Sequence, residues 1–216
     1  MRRLSWLLLA FQVTTAAMAR PSEDWRHWTE KDCARIFGRY SQRTILVSFG
    51  FGLWSTAGPT ETRFVLLTPD VYRAAIRLTQ IRNRLSDDEE VAELRRQVPG
   101  ETESLSIWVG MDTPRGLEAF HPAIVRVDPG ACSLRDPKVR ERFLRPTDPH
   151  KVPELVGEAL LRWGNLGWST VISFPREADF WRTLEGKEFE LEYHYNTIDR
   201  AGRVKFKRKL IEQLQD

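Results

Sequence analysis

Apolar and polar side chains alternate along the last part of the chain. Phe189, Leu191, Tyr193 and Tyr195 interleave with Glu188, Glu190, Glu192 and His194, and after an Asp199/Gly202 turn the alternation resumes from Arg203 to Leu210. Period two is the mark of a half-buried strand, so the two arms predict a C-terminal β-hairpin. Setting Asn196 opposite Arg203 pairs Tyr195 with Val204 and Tyr193 with Phe206 on the apolar face. The same register sets Glu192 against Lys207 and Glu190 against Lys209 on the wet face. A slip by one residue would turn every apolar side chain into water, so this register is the expected one.

Upstream, short β-branched or aromatic runs predict strands at residues 44–49, 63–67, 104–111, 123–127 and 169–174, with an edge strand at 139–144. Gly50-Phe-Gly52 reads as a turn, because no Gly-Lys-Ser/Thr follows to make a phosphate loop. Asp128-Pro-Gly130 and Asp136-Pro137 predict irregular chain around Cys132.

Helical spacing occurs in three places. Thr29, Glu30 and Asp32 are suited to the start of a short helix that turns Cys33, Ile36 and Phe37 inward and stops at Gly38, with Trp25 and Trp28 packed at its entry. Thr68-Pro69-Asp70 opens a second helix whose stripe is Val71, Ala74, Ala75, Leu78, Ile81 and Leu85. Ser86-Asp-Asp-Glu89 is a capping box that restarts the chain as its partner, to about Val98. Arg73, Arg77, Arg82 and Arg84 then form a solvated helix back. Residues 152–163 fit either a helix with Leu155, Val156, Ala159 and Leu160 on one face or a strand paired with 169–174. Gly164-Asn-Leu-Gly167 favours the hairpin.

These elements predict an α+β fold: a mainly antiparallel sheet, a helical pair packed on one face, and the closing β-hairpin. The start of the chain modifies that picture. Arg2 and Arg3, an apolar run from Leu4 to Val13, and Ala17-Met-Ala19 are the parts of a secretory signal, so cleavage between Ala19 and Arg20 is expected. The run is shorter than the roughly 20 residues a membrane-spanning helix needs, so no anchor is expected after cleavage. The mature chain, residues 20–216, is then one exported α+β domain in the periplasm or extracellular space.

Cleavage removes two of the 33 basic residues and none of the 30 acidic ones, bringing a net charge of +3 still closer to zero. So even a balance argues against nucleic acid as a partner. Two cysteines, Cys33 and Cys132, remain. They either form one disulfide or pack as two buried thiols, and sequence alone leaves both open.

Trp28-Thr-Glu-Lys-Asp-Cys33 resembles the opening "WTxKDC" motif of an uncharacterised family of exported bacterial proteins, chiefly acidobacterial. Weaker similarity continues in order through Val71–Arg77, Phe143–Pro146, Ser173–Arg176 and Lys205–Lys209. Where that family has an "SPW"-like segment, this chain has Tyr40-Ser-Gln-Arg43. The resemblance implies export and brings no catalytic residue.

Motifs of chemistry are absent from the sequence itself. Ser169 in Gly167-Trp-Ser-Thr-Val171 lacks the closing glycine of a nucleophile elbow, and His27, His121, His150 and His194 have no metal-ligand spacing. The acidic face of Glu188, Glu190, Glu192 and His194 is accounted for by opposing lysines. No catalytic, cofactor or metal residue is therefore nominated. The expected function is that of a non-catalytic binding or interaction protein meeting a protein or another envelope component. The alternative is an exported hydrolase with a composite site drawn from residues such as Asp112, His121 and Asp128.

Overall fold

Eight strands form two antiparallel sheets in the computed structural model, which describes residues 24–46, 60–83, 104–112, 126–139, 141–148, 152–175, 180, 184, 187–196, 201–208 and 210. The expectations for the signal segment with Ala19 and Arg20, for Gly50-Phe-Gly52, for the helix at 86–98 and for His121 and His150 lie outside those residues.

In chain order the elements are α1 (Glu30–Arg39), β1 (Ser41–Leu46), β2 (Thr60–Leu66), α2 (Pro69–Asn83), β3 (Ser104–Met111), β4 (Val127–Arg135), β5 (Phe143–Leu144), α3 (Glu154–Gly164), β6 (Trp168–Pro175), β7 (Glu188–Tyr195) and β8 (Ala201–Lys207). Sheet A has strand order β1-β2-β3-β6 and sheet B has β5-β4-β7-β8. The α+β class, the antiparallel pairing and the closing hairpin are as the pattern predicts, but there are two sheets, not one.

The sheets face each other. Phe64 of β2 packs on Tyr193 of β7 with ring centroids 4.7 Å apart, and Thr62 and Tyr195 meet through their hydroxyls at 3.5 Å. The opposite face of sheet A carries the helices: Arg63 lies over the Trp163 ring of α3, and Phe37 of α1 meets that ring at 5.3 Å. Helices, sheet A and sheet B thus make three layers. Sheet A is the middle one, which explains why β3 is buried from Leu105 to Met111 without alternation. On the outer face of sheet B side chains stay partly exposed: β7 alternates half-buried with buried along its length, and Arg203, Lys205 and Lys207 of β8 are exposed.

Local chemistry sets the helix starts. Thr29 and Asp32 form a reciprocal capping box on α1, with Asp32 Oδ2 accepting the Thr29 N–H at 3.0 Å. The Thr29 hydroxyl, donating to Asp32 Oδ2 at 2.7 Å, and then the Thr29 N–H hold the Asp32 carboxyl below its ordinary value. Gly38 does not stop α1: the helix runs through it to Arg39 and is capped by Tyr40, whose N–H reaches Ile36 O. Thr68 Oγ1 accepts the Val71 N–H at 3.3 Å at the head of α2. The arginines on the back of α2 are bound to neighbours: Arg73 pairs with Asp70, Arg77 Nε donates to Trp28 O at 3.0 Å, and Arg82 reaches Glu30.

Three further expectations are corrected. Residues 154–164 are a helix, not a hairpin arm, because β6 has its partner in β3 along eight residue pairs. That leaves Val156, Ala159 and Leu160 to form one buried helical stripe, which the left-handed Asn165 (φ 52°) terminates. The chain around Cys132 is strand β4, with its turn residues absorbed in a bulge between Asp128 and Ser133.

The hairpin register is the third correction. It is displaced by four residues: Glu192 faces Arg203, Glu190 faces Lys205, Glu188 faces Lys207, and Tyr193 faces Gly202. Alternation determines which side chains share a face, and a shift by an even number preserves it. The register found is one that needs glycine opposite Tyr193, whose ring occupies the space where a Cβ on Gly202 would stand.

Candidate functional site

Alternation on each strand puts one set of side chains on the outer face of sheet B: Glu188, Glu190, Glu192 and His194 from β7, half-buried, and Arg203, Lys205 and Lys207 from β8, exposed. Ser133 and Arg135 of β4 stand beside Glu192 and Glu190, and Phe143 of β5 stands beside Arg135.

The charges on this face are layered. Glu192 is gripped from both sides, by Arg203 at 2.8 Å and Arg135 at 2.9 Å, and Glu190 meets Lys205 at 3.4 Å. Both carboxylates have side chains only 12% exposed, whereas Arg203 and Lys205 are 56% and 58% exposed. Acid therefore lies beneath base, and what a partner would meet is cationic.

At the β5 edge the surface changes character. Phe143 is 44% exposed, one of two large exposed apolar residues among the described residues, the other being Ile45 on β1. The guanidinium groups of Arg135 and Arg145 lie 5.6 Å and 5.8 Å from its ring centre, within cation–π range.

A depression lies between α2 and α3. This groove of about 380 Å³ has Leu78, Leu155 and Ala159 in its lining, and its arginines are ion-paired, Arg82 with Glu30 and Arg162 with Glu158. Among the described residues no three His, Cys, Asp or Glu side chains gather as a cation-binding group.

Of the residues named for a composite hydrolase site, Asp112 and Asp128 are among the described residues and His121 is not. Asp112 follows the end of β3, exposed, with its N–H on Glu61 O at 3.0 Å, and Asp128 lies in β4 with its carboxylate accepting the Gly130 N–H at 3.0 Å. Ser169 lies within β6, opposite Gly110. Of the two remaining described histidines, His27 is exposed beside Asp24, and His194 stands 3.9 Å from Glu192.

Cys33 and Cys132 are both buried and unbonded, so the two-thiol alternative holds and the disulfide does not. Cys33 is in α1 on the helical side of sheet A, whereas Cys132 is in β4 of sheet B, donating to Asp128 O at 3.2 Å. Burial pushes each thiol from an ordinary value of 9.0 up to about 12, far from a reactive thiolate. Phe143 is the feature sequence reasoning missed, since it reads as one apolar residue of an edge strand. The arginine at position 145, two residues along, was the available signal.

No helix among the described residues is long and apolar enough to cross a membrane. No family model matches the chain, and no curated protein matches it. Among solved structures it is similar to a novel protein of unknown function from Burkholderia pseudomallei, with a TM-score of 0.47 and 10% identity, over 84% of this chain and 86% of that one.

Proposed function

We propose that the mature chain is a non-catalytic binding protein of the bacterial envelope or extracellular space, belonging to the exported family its WTxKDC helix resembles, and that the outer face of sheet B is its contact surface. The observation that carries this reading is Phe143, an exposed aromatic ring flanked by the guanidinium groups of Arg135 and Arg145 on a regular sheet face. Aromatic residues, Phe among them, and Arg are enriched at protein interfaces relative to the rest of the surface. Here they are adjacent and already held in place.

Two measurements test it. N-terminal sequencing of the exported protein should begin at Arg20, and a start at Met1 would overturn the export reading. Cross-linking in an envelope extract of the producing organism should yield a defined adduct with the wild-type chain that is lost in a Phe143→Asp variant of unchanged thermal stability. Equal yield from both chains would remove this face from consideration.

A further inference from the structure

Building on that reading of the sheet B face, we infer that its partner is an acidic polypeptide segment, bound extended along β8 over Arg203, Lys205 and Lys207. These cations occupy alternate positions of one strand, so their Cα atoms repeat at about 6.8 Å, which is also the repeat of alternate side chains in an extended peptide. A peptide with carboxylates at every second residue would therefore match them one to one.

The layering explains why such a surface is still open to an anion. Arg203 directs Nε and Nη2 to Glu192, both onto the same carboxylate oxygen. A guanidinium has five N–H donors and an ammonium three, so the single carboxylate beneath Arg203 and the one beneath Lys205 leave donors unused. With the side chains of Arg203 and Lys205 more than half exposed, those donors are available to solvent. The buried carboxylates fix the cations in place, and a pre-oriented cation loses less freedom when a second carboxylate arrives.

The same carboxylates disfavour a densely anionic sheet such as a lipid surface, because they cancel most of the field that the cations would exert at a distance. What survives is short-range and regularly spaced.

The test uses the mature chain, residues 20–216, and a fluorescein-labelled 14-residue peptide of alternating glutamate and threonine, read by anisotropy at 50 mM and 300 mM salt. Heparin and vesicles of phosphatidylglycerol serve as competing anions. Binding of the peptide at low salt should weaken at least tenfold at high salt and at least fivefold in Lys205→Gln/Lys207→Gln, with Arg73→Gln on α2 unchanged. Because Lys205→Gln strips Glu190 of its partner, Lys207→Gln alone is measured as well, and it should weaken binding at least twofold. Tighter binding of heparin or vesicles than of the peptide would overturn the inference, as would peptide binding indifferent to both lysines. If the peptide does not bind at all while wild-type cross-linking is still lost in Phe143→Asp, the acidic partner is wrong and the contact surface stands.

Discussion

Tyr193 Oη donates a hydrogen bond to Thr44 Oγ1 at 3.1 Å, joining a central strand of sheet B to the edge strand of sheet A. The two residues are 149 positions apart, so this bond reports the docking of the sheets and nothing local. Tyr193→Phe should cost about 1 kcal/mol in urea denaturation. A double-mutant cycle with Thr44→Val should show a coupling of at least about 0.5 kcal/mol. Zero coupling would mean that the sheets meet elsewhere.

The register of the hairpin is separately testable. Glu192→Lys sets three cations together and should destabilise the fold by about 1 kcal/mol, and Arg203→Glu in the same chain should restore part of it. Lys207→Glu should restore none, since its partner is Glu188. Recovery by Lys207→Glu would instead favour the pairing displaced by four residues.

That displacement shows how far the sequence could be read. Alternation in Glu188–Tyr195 discloses which side chains face the core, but shifts by two or four residues leave the faces unchanged. In the register found, the Tyr193 ring lies over Gly202, where any larger residue would clash. Strand β4 was hidden because its bulge is built from Asp128, Pro129 and Gly130, residues that ordinarily end strands. The helix at 154–164 was hidden because its apolar run is as suited to a strand as to a helix, and its true neighbours, α2 and β3, are far away in sequence. The acid-under-base layering was legible only as a set of charge pairs. Which partner stands outermost depends on how long side chains lie on a surface.

A glycine in α3 provides a check on that helix. A Cβ at Gly157 would meet nothing within 4 Å, so Gly157→Ala should raise stability by about 0.5–1 kcal/mol through helix propensity. The opposite substitution site is Gly202, where the Tyr193 ring blocks a methyl group. Gly202→Ala should lower stability by about 1–3 kcal/mol. Thermal midpoints of the two variants should therefore move in opposite directions.

The buried thiols impose a pH dependence. Their values are raised from 9.0 in the ordinary thiol to about 12 in the fold, so above pH 9 the unfolded chain releases protons that the native chain retains. Stability is full below pH 9 and falls as pH rises from 9 toward 12. Urea midpoints at pH 8 and pH 10 should show the fall, and the Cys33→Ala/Cys132→Ala chain should show less of it between those values. Ellman's reagent should find two thiols in denatured protein and almost none in native protein.

Strand β3 has a consequence for how the chain reaches its native state. It is hydrogen-bonded on one side to β2 and on the other to β6, which ends 64 residues beyond Met111, at Pro175. A nascent or truncated chain that lacks residues 168–175 therefore carries an apolar strand with one bare edge, a ready template for pairing with a second copy. Sheet A is therefore complete only once residues 168–175 are present.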